Sequence, residues 1–235
     1  MRAVDVSQNM KLACYLCGSE VGLTKDHIPP KGFFPDPKPT NLITVECCRL
    51  CNQKASLDDE AFRILVTSPP DVSAAGKWVQ KNKVFEGSLK RSSKLVDNVR
   101  KFMFQGEVGS KKVDLIAFPQ DRAESFLIRL TKGLLAYFYP DFPRNDLSFR
   151  ILNATLLQEG WDRIAVLRDQ AIYDSRGDEV FQFRRRVSLE KGWGYWMYSF
   201  YGASLLMVWH EKAANQSAEP APESGALGAK ESQPK

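Results

Sequence analysis

Cys14-Tyr-Leu-Cys17 and Cys48-Arg-Leu-Cys51 are two cysteine pairs, each with two residues between its members, separated by 30 residues. Two intervening residues let both sulfurs of a pair face one ion from a tight turn, and two such pairs complete a tetrahedral S4 site of the kind zinc or an iron–sulfur centre prefers. Zinc is the expected occupant. A full S4 site is closed, so its role would be structural, tying residues 14–17 to residues 48–51. A redox dithiol and reduced cysteines buried without a ligand are the alternatives, and the paired spacing disfavours both. Gly18 suits the tight backbone after the first pair. Cys47 stays unassigned, because Cys47-x3-Cys51 is a poorer knuckle than Cys48-x2-Cys51.

Between the pairs lies Thr24-Lys25-Asp26-His27-Ile28-Pro29-Pro30-Lys31, then Thr40-Asn41-Leu42-Ile43, and Asn52 follows Cys51 directly. Asp26 offers an oxygen ligand beside an imidazole, His27, whose ordinary pKa of roughly 6.5 suits a general base. With an Asn amide oxygen it makes a hard, oxygen-rich set that suits Mg2+. A lone Asp-His dipeptide is more often a surface pair or a capped turn; its position between two metal-binding pairs sets this one apart.

The combined pattern resembles the HNH (ββα-metal) endonucleases, in their zinc-bearing form. It runs Cys14, Cys17, Asp26-His27-Ile28-Pro29-Pro30, Asn41-Leu42, Cys48, Cys51-Asn52-Gln53-Lys54, about 50 of the 235 residues. The resemblance implies that Asp26 is a metal ligand, that His27 activates the attacking water, and that Asn41 braces the loop and orients the histidine. Asn52 stands at the last motif position, commonly a metal-ligating His; the HNH domain of the RNA-guided CRISPR nuclease also has asparagine there. An amide at that position argues for magnesium over a softer ion. The expected activity is metal-dependent hydrolysis of DNA phosphodiester bonds, with Lys31, Arg49 and Lys54 as candidate phosphate contacts, although side chains of this kind are more often simply solvated. The competing expectations are a zinc-bound nucleic-acid-binding or scaffolding protein that no longer cuts, and a defence or mobile-element effector whose C-terminal domain senses a ligand or protein and gates the nuclease.

The elements that must position these residues are expected to form an α+β protein. A zinc-stabilised ββα-metal module over residues 10–68 would precede a mixed α+β domain with antiparallel strands over 70–212, of no recognised family, and a disordered tail over 213–235. A helix is expected after Ser56, where Ser-Leu-Asp-Asp-Glu sets a hydroxyl before acidic first-turn residues, so that Asp58, Asp59 and Glu60 complement the helix N-terminus or lie near the metal; Ser68-Pro69-Pro70 stops it. Residues 113–118 read as a strand, and 121–139 as a helix with Phe126, Leu127, Leu130, Leu134, Leu135 and Phe138 at helical spacing. Strands are expected over 147–152 and 164–173, a turn over 174–178, and an edge or half-buried strand over 180–187. The uncharged 17-residue run 193–209 contains Ser199, Ser204 and glycines and fits two buried strands around Tyr201-Gly202 better than a membrane span.

Composition bounds the rest. The chain carries 33 basic and 28 acidic residues, a net charge of +5, and is 43% hydrophobic, enough for an ample core. Two histidines exclude a three-histidine metal site, and five cysteines are too few and too unevenly placed for a secreted disulfide scaffold. Residues 1–13 are polar, so a signal peptide is not expected and a cytoplasmic location is the default. Residues 77–112 hold ten basic against three acidic residues, a solvated helical face or a surface that tracks phosphates. The beginning of the tail has no large apolar residue to offset ordering entropy.

Overall fold

The computed structural model describes residues 12–101, 103–108, 111–116, 120–153 and 167–213. The expected tail, apart from Ala213, and most of the polar N-terminal stretch lie outside them. Strand β1 (Leu23–Ile28) pairs antiparallel with β2 (Ile43–Cys48), placing Asp26 opposite Val45 and His27 opposite Thr44. Side chains alternate across a strand, so Thr24, Asp26, Ile28, Ile43, Val45 and Cys47 share one face, while Lys25, His27, Thr44 and Glu46 share the other. Asp26, Ile28, Ile43, Val45 and Cys47 are buried.

Helix α1 (Arg49–Thr67) begins directly after β2 with no linker, and this corrects the expected start after Ser56. Cys48 is extended (φ −71°, ψ 151°) and its sulfur accepts from the Cys51 N–H at 3.5 Å, so a cysteine of the second pair caps the helix. Ser56 lies inside, its hydroxyl donating to the Gln53 carbonyl at 2.9 Å. Asp58, Asp59 and Glu60 are therefore two turns or more from the N-terminus, beyond the reach of its dipole. The helix ends before Ser68-Pro69-Pro70, as expected.

The basic stretch is helical at first: α2 (Ala74–Val79), a π-helical segment (Gln80–Leu89) and α3 (Ser93–Lys101). A hairpin comes next, β3 (Met103–Val108) with β4 (Lys111–Ile116), so the strand expected over 113–118 begins two residues earlier; residues 117–119 lie outside the described set. Helix α4 (Gln120–Phe138) matches the predicted apolar spacing and buries Phe126, Leu127, Leu130, Leu134 and Leu135.

The remaining strands form one antiparallel sheet: β5 (Leu147–Asn153), β6 (Ile172–Arg176), β7 (Phe181–Ser188), β8 (Trp193–Phe200) and β9 (Ser204–Lys212), in the order β5-β9-β8-β7-β6. The predicted pair of strands around Tyr201-Gly202 is β8 and β9. The strand expected over 164–173 differs: 164–166 lie outside the described residues, 167–169 make a helical turn, and β6 starts at Ile172. Residues 174–176, expected in a turn, pair with Phe183, Gln182 and Phe181, and the turn comes later, where Gly177 and Asp178 have φ of 64° and 53°. β7 is half-buried as expected but is no edge, since both β6 and β8 flank it. Among the described residues no helix is long and apolar enough to cross a membrane.

One apolar core joins these parts. Phe33 and Phe62 from the N-terminal segment meet Phe126 of α4 and Phe200 of β8; the Phe62 and Phe126 rings stack at 4.0 Å and 11°. The β8–β9 turn inserts Tyr201, whose hydroxyl donates to the Phe33 carbonyl at 2.6 Å.

Candidate metal centre

Cys14, Cys17, Cys48 and Cys51 converge: their sulfurs all lie within 4.8 Å of one another, close enough to hold a zinc ion. Zinc–sulfur bonds of about 2.3 Å in a tetrahedron set sulfurs about 3.8 Å apart, and Cys17 and Cys48 stand at 3.7 Å. The backbone brings the pairs together. Gly18, at φ 75°, closes the first turn with its N–H on the Cys14 carbonyl at 2.8 Å, and the Tyr15 N–H donates to the Glu46 carbonyl of β2 at 2.9 Å.

Burial opposes ionisation of Cys14, but backbone N–H groups of Cys48, Cys17 and Leu16 outweigh it and bring the thiol from 9.0 down to about 6. Burial and the neighbouring sulfurs push Cys51 up to about 12, a preference that a coordinated dication reverses. Cys47 sits behind the cluster, its sulfur 4.0 Å from that of Cys14 and within 3.6 Å of the Cys48 carbonyl. Burial raises its pKa well above the usual thiol value, so it packs as a neutral thiol.

Next to the sulfur cluster, β1, β2 and α1 carry the motif residues. Asn52, in the first turn of α1, reaches Thr24 of β1, Nδ2 to Oγ1, at 3.5 Å. Thr24 and Asp26 lie two residues apart on one strand face, so the Asn52 amide and the Asp26 carboxylate border the same inner face. His27 points to the opposite, half-buried face. Its pKa is lowered by burial and by the Lys31 charge, against the opposing pull of Asp26, so the imidazole is neutral near pH 7. Asn41 is exposed in the turn before β2. Lys31, Arg49 and Lys54 are exposed. Lys54 lines a cleft of about 550 Å³ between α1 and α4, with Cys51, Asp58, Asp121, Glu124, Arg129 and Lys132 among its walls. No described residue of the 77–112 basic stretch lines that cleft; within the stretch Lys83 pairs with Asp36 at 2.6 Å and Lys90 with Glu86 at 3.1 Å.

Two residues that motif reading missed complete the inner face. Asp26 is 5% exposed, and its Oδ2 accepts from the Tyr15 hydroxyl at 2.9 Å and from Arg129 Nη1 at 3.1 Å. Arg129 also pairs through Nη2 with Asp59 of α1, and Arg122 pairs with Asp58 at 3.1 Å. The sequence does hold a signal for Arg129: it is a charge inside the apolar stripe of α4, between Phe126 and Leu130. No protein-family model matches the chain, and neither a curated protein nor a solved structure does.

Proposed function

We propose that this chain is an HNH-type endonuclease that hydrolyses DNA phosphodiester bonds, built on a zinc-clamped β-β-α unit. The observation that carries the reading is the order β1, β2, α1 with Asp26-His27 on the first strand, Asn52 in the first helical turn, and four cysteines closing the unit where strand meets helix. The donor set fits the expected divalent cation in chemistry, since a carboxylate and an amide oxygen are the hard ligands that Mg2+ takes. Held by Asp26 and Asn52, Mg2+ would offset the charge that develops on the scissile phosphate and on the leaving oxygen.

The chain's own part is proton transfer and orientation. His27 lies on the strand face opposite Asp26, so the phosphate would straddle the end of β1 for the neutral imidazole to take a proton from water as the water oxygen bonds to phosphorus in line. The bond from phosphorus to the 3′-oxygen breaks, that oxygen gains a proton from solvent, and the products are a 5′-phosphate and a 3′-hydroxyl. Lys31, beside His27, and Arg49 and Lys54 at the start of α1 would meet flanking phosphates.

A nicking assay on supercoiled DNA with Mg2+ tests the proposal. Wild type should nick, and His27→Ala, with zinc content and circular dichroism unchanged, should lose at least a hundredfold in rate. Because a base must be unprotonated to act and His27 has a lowered pKa, the acid limb of the pH–rate profile should have its midpoint below about 6.5. Equal rates for the two proteins, or no nicking by either, would leave the second reading: a zinc-bound nucleic-acid-binding or scaffolding protein. The specific observation favouring that reading is the burial of Asp26 against Arg129.

A further inference from the structure

The buried charges around Asp26 do not balance. Arg129 supplies one positive charge against the carboxylates of Asp26 and Asp59, and all three side chains are largely shielded from solvent. Such a group leaves one negative charge unmatched where the dielectric is low, which favours one further cation. Arg129 comes from α4, outside the β-β-α unit, yet it bonds the carboxylate that Asp26 would offer a metal ion. Two features let the arginine let go. Asp59 remains as a full partner when Asp26 is given up, and Arg129 lines the cleft in which Asp121 and Glu124 also stand. Its Nε is buried without a hydrogen-bond partner among the described residues, so the present pose leaves part of the group unsatisfied.

Resting on the nuclease reading, we propose that Arg129 is a latch on the metal site: it and a divalent cation compete for the Asp26 carboxylate, and the ion binds as Arg129 withdraws onto Asp59. Arg129 is thus a positioning residue that sets metal affinity. The apparent affinity falls by the fraction of time that the latch is open, so a latch closed about nine-tenths of the time weakens binding about tenfold.

The test uses the zinc-loaded full chain and Mn2+ alone as probe, monitored by calorimetry and electron paramagnetic resonance. Arg129→Gln should bind Mn2+ about tenfold more tightly than wild type, and Arg129→Lys, which keeps a competing cation, should return toward the wild-type affinity. An Arg129→Gln protein with zinc retained and Mn2+ affinity equal to or below that of wild type overturns the latch while leaving the nuclease reading in place. Mn2+ binding by neither protein at millimolar concentration overturns the nuclease reading itself. Should the variants not fold, wild type labelled with 15N-arginine decides the matter. Titration with Mg2+ should shift the Arg129 side-chain signal and speed its exchange with water, whereas Mg2+ binding that leaves the signal in place overturns the latch.

Discussion

The two histidines occupy opposite settings, and the second makes a clean probe of the fold. His210 is 0% exposed in β9, and its Nδ1 accepts from the indole N–H of Trp196 at 3.2 Å. An indole only donates, so the imidazole is neutral with its proton on Nε2, which has no partner among the described residues. Burial lowers its pKa to about 4. A histidine with a depressed folded pKa binds its proton more weakly than in the unfolded chain. Stability is therefore intact above about 6.5 and is lost as the pH falls from there toward about 4, by about 1.4 kcal/mol per unit and about 3 kcal/mol in all. In His210→Asn the amide oxygen keeps an acceptor for Trp196 but does not titrate. Urea unfolding at pH 7.5, 6 and 5 should show wild type losing stability faster than the variant; parallel losses would remove His210 as the cause. The cysteine pairs were readable from spacing alone, because metal geometry constrains neighbours in sequence. The pairing of Asp26 with Arg129 was not, since the partners are 103 positions apart and meet only through packing.

Helix α4 delivers Arg129 by way of a glycine. Gly133 lies one turn after Arg129 and faces Ile28, two residues after Asp26, so the two contacts share one helix face and one strand face. A Cβ at Gly133 would come within 2.6 Å of Ile28 Cδ1 and 2.8 Å of Cγ1, and Ile28 is buried with little room to move. Gly133→Val should cost about 1–3 kcal/mol by overpacking, and Ile28→Ala introduced with it should recover part of the loss. Strict additivity in that double-mutant cycle would mean that the close approach is not what the glycine serves. At this scale apolar periodicity located α4 and the strands β5, β8 and β9. It misplaced the start of α1, because a cysteine sulfur as cap does not resemble the Ser and Asp signals that normally mark a helix start. It also misplaced β6, whose limits are set by pairing with β7 and not by its own residues.

Across the whole molecule, the segment that carries the cysteine cluster shares its apolar interior with α4 and the five-stranded sheet. Phe33 and Phe62 are covered by Phe126 and Phe200, and Tyr201 bonds the Phe33 carbonyl. Residues 12–68 expressed alone with zinc should therefore expose an aromatic face, bind a hydrophobic dye and give a poorly dispersed proton NMR spectrum; sharp dispersion would show that the sulfur cluster alone holds the unit. Residues 14–51 are poor in periodic apolar runs, which points to organisation by something other than packing; nothing in them announces the four-phenylalanine contact. That contact has a consequence in time. A ribosome releases Phe33 and Phe62 first and Phe200 about 140 residues later, which at about 5–20 residues per second is on the order of ten seconds. All four cysteines of the cluster precede Phe62, so metal capture would be able to close this segment before Phe200 arrives, and zinc supply at the moment of synthesis would then bear on yield.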